Sequence, residues 1–263
     1  MASVSLTDNN EPTNPNPTLS KPPIFNFVTT YSNNINIQCE LYSYTLGMKF
    51  PFGTAHSTTK LRHNALFKMT INDKSTFAEA GLPPKREHVY CADLSDCHEF
   101  VKSWSTTLQT YLLDSTNDII SQYLATLNEL NVPLQSILQD KIQSNYSHIF
   151  CSMLFALHQC SVASASFASA GQAMIEVAII SFISEHVSMP ICELLGIDAA
   201  DSTTPTFYTA SLNDDINVTI ESATFGRRIT RNIKIKLNGN VEQTENIFRE
   251  FISAYNDLEC TRG

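Results

Sequence analysis

Apolar and polar residues alternate in short runs between residues 35 and 80, and from residue 94 apolar residues begin to recur at helical spacing. A period of two fits a strand and a period near 3.6 fits a helix, so the chain is expected to open as a sheet and continue as helices. Residues 35–44 carry the alternation on Ile35, Ile37, Cys39 and Leu41. Residues 64–71 repeat it around Ala65, Phe67 and Met69, and residues 76–80 form a shorter strand closed by Gly81-Leu82-Pro83-Pro84. Between the first two strands, residues 51–60 (PFGTAHSTTK) read as a polar, hydroxyl-rich loop, which makes the strands a meander.

Helical spacing follows at Phe100, Val101, Trp104, Leu108, Tyr111 and Leu112. Further helices are expected over residues 119–130 and 134–142, with Pro133 as the break between them. A long helix is expected over residues 164–186. Ala165, Ala168, Ala170, Gly171 and Ala173 let its first half approach a neighbour closely. Pro190 and Ile191-Cys192-Glu193-Leu194-Leu195-Gly196 close it, with Gly196 as a helix stop. The remainder reads strand (206–212), helix (218–228), strand (232–237) and helix (242–255). That order fits parallel strands lying under helices. Residues 1–23, interrupted by Pro-Asn-Pro and Lys-Pro-Pro, read as a disordered tail.

Composition narrows the functional classes. With 43% hydrophobic residues the chain has material for a core, and its formal charge of -9 argues against a nucleic-acid or anionic-membrane partner. No run of about 18 apolar residues occurs, so no membrane span is expected. Neither a secretory core nor the arginines of a transit peptide stand at the start, and a cytoplasmic location is expected. The seven cysteines are scattered without a C-x-x-C pair, which fits thiols in a reducing compartment rather than disulfides or structural zinc. Phosphate-loop, H-E-x-x-H and G-x-S-x-G motifs are absent.

The chemically informative segment is Ile233-Lys234-Ile235-Lys236-Leu237. Side chains alternate in a strand, so Lys234 and Lys236 share one face while the apolar residues take the other. Ammonium groups held close together repel, and partial burial adds a desolvation cost; both effects lower a lysine pKa towards that of a usable general base. The same pattern also fits an edge strand whose lysines block aggregation.

Ala173-Met174-Ile175-Glu176-Val177-Ala178, then Met189-Pro190, Leu194-Leu195-Gly196, a strand, a helix and Lys-x-Lys stand in an order that resembles the enolase superfamily. The resemblance is to its mandelate racemase and muconate-lactonising branch, and within that branch to the dipeptide epimerases. Gly53-Thr54-Ala55-His56 and Glu79-Ala80-Gly81-Leu82-Pro83-Pro84 resemble that group's capping domain. The implied fold is an α+β capping domain over residues 24–160, followed from 161 to 263 by a partial α/β (TIM-type) barrel with about two of eight strands. The implied chemistry is abstraction of a proton next to a carboxylate, with the enediolate stabilised by Mg²⁺. The substrate would be a small molecule, a dipeptide or amino-acid derivative.

In that reading Lys236 is the base on one substrate face, and Lys234 tunes it and touches the carboxylate. Thr209 and Ser211 line the pocket from the first barrel strand, and Thr54 and His56 approach from the capping loop. The same residues fit ordinary strand packing and a solvated loop. Ser181 stands where the family helix usually carries an acid, and Met174 and Ile179 are bulkier than its usual pattern.

A barrel takes about 250 residues, whereas about 100 follow residue 160. The family's three metal carboxylates and opposing lysine fall beyond the second strand and match nothing here. Asp214-Asp215 reads as a solvated turn. The isolated chain is therefore expected to be inactive, poorly stable, aggregating, or paired with another chain, for instance as a homo-oligomer. Two alternatives stay open: a cycloisomerase or dehydratase of the same superfamily, and a non-catalytic fragment serving as an interaction module.

Overall fold

The computed structural model describes residues 21–32, 34–54, 57–83, 92–113, 121, 125, 134–140, 142, 144–163, 169–197, 207–213, 215–230, 232–237 and 241–260. Among these, the strands form two sheets. The first is an antiparallel meander in the order β1 (Phe25–Tyr31), β2 (Ile35–Thr54), β3 (Ser57–Ile71) and β4 (Lys74–Leu82). Its helices are α1 (Leu94–Leu113), α2 (Leu134–Asp140), α3 (Ser144–Ala163), α4 (Ser169–Val187) and the single turn α5 (Ile191–Leu194). The second sheet pairs β5 (Phe207–Ser211) with β6 (Asn232–Lys236) in parallel, with α6 (Ile216–Gly226) between them and α7 (Val241–Cys260) after.

The expected alternation sets the first core. Ile37, Cys39 and Leu41 of β2 and Phe67, Met69 and Ile71 of β3 bury one sheet face against Trp104, Phe150, Met153 and Phe182 from three helices. Trp104 is fully enclosed: its indole N–H donates to the Met153 carbonyl at 3.1 Å, and Phe67 meets its ring edge-on at 6.0 Å. Helix α4 belongs to the same core through Ile175, Ile179 and Ile183, and the Thr76 hydroxyl donates to the Ala178 carbonyl at 3.2 Å. Gly196 adopts φ 67°, the left-handed geometry of a helix stop.

The other sheet face holds one enclosed charge. Glu40 accepts from the Tyr42 hydroxyl at 2.8 Å and lies 3.0 Å from the Lys68 ammonium. Burial first, then the hydrogen bond and charge of Glu40, hold the Tyr42 phenol up at about 12.

One local expectation changes, and two elements carry no clear sequence signal. Residues 51–60 are not an open loop, because β2 runs to Thr54 and β3 starts at Ser57, with Phe52 paired to Thr59, Gly53 to Thr58 and Thr54 to Ser57. Their Thr and Ser residues suit extended backbone without supplying the apolar alternation that marks a strand. Strand β1 went unread because Val28, at 59% exposure, points away from the core and breaks the pattern carried by Phe25, Phe27 and Tyr31. Helix α3 went unread because residues 148–154 are buried without interruption and leave no amphipathic stripe. The helix expected over 119–130 falls largely outside the described residues, as does most of the tail.

Candidate functional site

The α/β part is organised by parity. Tyr208 and Ala210 of β5 and Ile233 and Ile235 of β6 face the helices, where they pack with Ile216, Ile220 and Ala223 of α6 and Phe251 of α7. The alternate residues, Thr209, Ser211, Lys234 and Lys236, therefore stand on the helix-free face. The parallel register pairs Thr209 with Lys234 and Ser211 with Lys236, so the four polar residues predicted from the sequence occupy one patch.

Their environments differ. Lys234 is exposed, with its ammonium 5.1 Å from the centre of the Phe207 ring. Lys236 and Thr209 are half-buried, and Ser211 keeps only 4% of its surface. A two-residue step along β6 separates the lysine backbones by about 6.6 Å.

Hydrogen bonds fix the carboxyl end of β5. The Ser211 carbonyl accepts from the Thr219 hydroxyl at 3.2 Å and the Asn213 amide at 2.9 Å, and the Asn213 N–H donates to the same hydroxyl at 2.9 Å. The Leu212 N–H donates to the Lys236 carbonyl at 2.9 Å, which ties both strand ends together. Asp215 caps α6 by accepting from the Asn217 N–H at 3.0 Å. That fits the turn expected there; Asp214 lies outside the described residues.

At the start of β5, Tyr208 lies against Gly226, where a Cβ would fall 2.3 Å from the ring. Phe225 sits beside Tyr208 at 6.1 Å between ring centres and receives Phe50 of β2 at 5.8 Å and the Lys49 ammonium at 4.3 Å. Sequence reasoning missed this contact, since no local pattern joins β2 to α6. The Thr54 backbone is the last of β2, its side chain is outside the description, and His56 lies outside the described residues.

Among the described residues, no three His, Cys, Asp or Glu gather to hold a metal ion, and no helix is long and apolar enough to cross a membrane. Cys39, Cys97, Cys151 and Cys160 are buried, and Cys192 is half-buried.

No protein-family model matches the sequence. The chain is 31% identical over 229 residues to an enolase superfamily member of Dictyostelium discoideum, covering 82% of this chain and 50% of that protein. Its structure is similar to the substrate-liganded L-Ala-D/L-Glu epimerase of Bacillus subtilis (TM-score 0.53, 14% identity, 82% of this chain and 49% of that one). It is also similar to a dipeptide epimerase of Methylococcus capsulatus complexed with Mg and L-Arg-D-Lys (0.52, 17%, 81% and 49%). A third neighbour is the N-succinyl Arg/Lys racemase of Bacillus cereus (0.50, 15%, 83% and 47%). The chain thus spans about half the length of the relatives it matches. At these identities the structural likeness is one of fold: an α+β capping part followed by part of a TIM-type barrel, with two barrel strands among the described residues.

Proposed function

From a chain that belongs to the enolase superfamily, we infer an isomerase of the racemase or epimerase kind, acting on an amino-acid derivative and foremost a dipeptide. The observation that carries this reading is the patch of Lys234, Lys236, Thr209 and Ser211 on the helix-free face of β5–β6. A barrel turns that face towards its interior, and catalytic groups gather at the carboxyl ends of its strands. Lys236 and Ser211 are the last residues of their strands.

In this mechanism the Lys236 amine takes the proton from the carbon next to a carboxylate. The bonding electron pair moves into the carboxylate as an enediolate, and Lys236 becomes an ammonium. Lys234, further from the strand end, offers positive charge to the carboxylate. The Thr209 and Ser211 hydroxyls border the substrate. These residues serve one face of the substrate; inversion also needs a proton delivered from the other.

Mg accompanies the Methylococcus enzyme in its complex. The described residues here do not fit such an ion, since they bring no three ligating side chains together.

The test is deuterium wash-in at the α-carbon of an Ala-Glu dipeptide in D2O with Mg²⁺, by a polypeptide carrying these residues with and without Lys236→Ala. Wash-in that falls at least a hundredfold in the variant supports the reading. Wash-in that persists within twofold overturns the role of Lys236, and elimination or ring-closure products without wash-in assign a different reaction on the same fold.

A further inference from the structure

We propose that Lys49 and Phe50 form a clasp that fastens the β2–β3 hairpin to helix α6 through Phe225. The hairpin is long and leaves the core early: Leu46 of β2 and Leu61 of β3 are already 44% and 55% exposed. A two-stranded arm with so little burial is only marginally stable by itself.

Its ladder then breaks where the clasp forms. Gly47 pairs with Leu61 and the next pair is Phe52 with Thr59, so the four residues from Met48 to Pro51 stand opposite Lys60 alone. A bulge re-aims side chains and bends the strand. Pro51 has no N–H to return to the ladder, which favours the break at this place.

The released residues meet a prepared partner. Lys49 sets its ammonium 4.3 Å from the Phe225 ring centre, Phe50 lies at 5.8 Å from the same ring, and Tyr208 backs that ring at 6.1 Å. Tilted and edge-on aromatic pairs and a cation near a ring each add to the stability of such a contact. Gly226 adds the second half of the arrangement. Its missing side chain lets α6 close onto Tyr208, which holds Phe225 at the end of the helix beside the first strand of the α/β part. The clasp thereby joins the antiparallel sheet to the β5–α6 unit independently of any reaction, and it fixes the direction in which the Thr54–Ser57 end of the hairpin extends.

Hydrogen–deuterium exchange followed by mass spectrometry tests this in the full chain. Phe50→Ala and Phe225→Ala are each expected to speed exchange at least tenfold in peptides spanning 44–62, while peptides spanning 35–42 and 65–71 keep parental rates. A variant that only loosens the fold raises all three. Phe50→Ala changes an arm outside the buried core and so remains informative if Phe225→Ala fails to fold; it must also free the end of α6 at residues 222–228. Exchange within twofold of the parent in the 44–62 peptides of Phe50→Ala, or a rise that extends equally through the core strands, overturns the clasp. Because the readout needs no substrate, its failure and the failure of the isomerase reading are separate results.

Discussion

Lys236 stands directly across from Ser211 in the parallel β5–β6 pair, one half-buried and the other almost wholly enclosed, on the sheet face that the helices leave uncovered. Lys234 is two residues further back and exposed over Phe207. In the proposed mechanism Lys236, placed at the strand end, is the base, and this sets an expected asymmetry. Lys236→Arg keeps a long polar side chain but puts a permanently charged guanidinium where a base is needed, so α-proton exchange by an active polypeptide falls about 100-fold or more. Lys234→Arg preserves its charge over the ring and changes the rate less than tenfold. Initial rates on one dipeptide compare the two, and equal losses would remove the distinction between them.

Gly226 and Tyr208 share a space with no room for a methyl group: a Cβ would fall 2.3, 2.5 and 2.8 Å from the Cδ1, Cγ and Cβ of Tyr208. These are the inner atoms of the side chain and cannot swing aside without moving β5. Gly226→Ala is expected to destabilise by about 1–3 kcal/mol in urea unfolding. Tyr208→Ala in the same chain opens the space, so the double variant loses less than the sum of the singles. Additive losses would show that the contact is not the cause.

What was legible in the sequence follows from how local each signal is. The alternation in residues 233–237 assigned Lys234 and Lys236 to one face, and the helices do cover Ile233 and Ile235. The stop at Gly196 and the βα order of the second half were equally local. Helix α3 was invisible because it is buried on most sides, and β1 because Val28 faces solvent. The hairpin end hid behind hydroxyl residues that serve loops and exposed strands alike. Of the site, the polar patch was readable, whereas the meeting of Phe50, Phe225 and Tyr208 was not. It depends on residues distant in the chain, and tertiary packing leaves no periodic trace.

Trp104 anchors the core of the first sheet, and its N–H is committed to the Met153 carbonyl at 3.1 Å. Trp104→Phe keeps much of the apolar contact with Phe67 but removes the indole hydrogen bond to the Met153 carbonyl and leaves unfilled volume. A loss of about 2–4 kcal/mol is expected from the two effects together. Denaturant melts measure it, and a loss below about 1 kcal/mol would mean that neighbouring side chains close the space.

Alkaline pH should unfold the protein through groups that are neutral inside and charge in water. Burial raises the Cys151 thiol to about 12, with a Ser147 hydrogen bond acting in the opposite direction, and burial followed by Asp96 and Asp93 raises Cys97 to about 11. Tyr42 reaches about 12. A folded-state pKa above the unfolded one stabilises fully below the unfolded pKa and loses that contribution as pH climbs to the folded value. The thiol contribution therefore declines from about pH 9 upward and that of Tyr42 from about pH 10 to 12. Thermal melts across pH 8–12 should fall, and Tyr42→Phe should flatten the upper part. A melting temperature unchanged from pH 9 to 12 would contradict this.

In strand β6 the two isoleucines serve cohesion, and in the proposed reaction the two lysines serve chemistry. The two duties cannot drift apart: a one-residue slip of β6 against β5 would exchange amino groups for isoleucines on both sides at once. Such a frame error would present two greasy side chains where a carbon acid should meet an amine, and would thrust two charges under the helices. The strand is thus a coupled device, in which loss of register disables folding and reactivity in a single stroke.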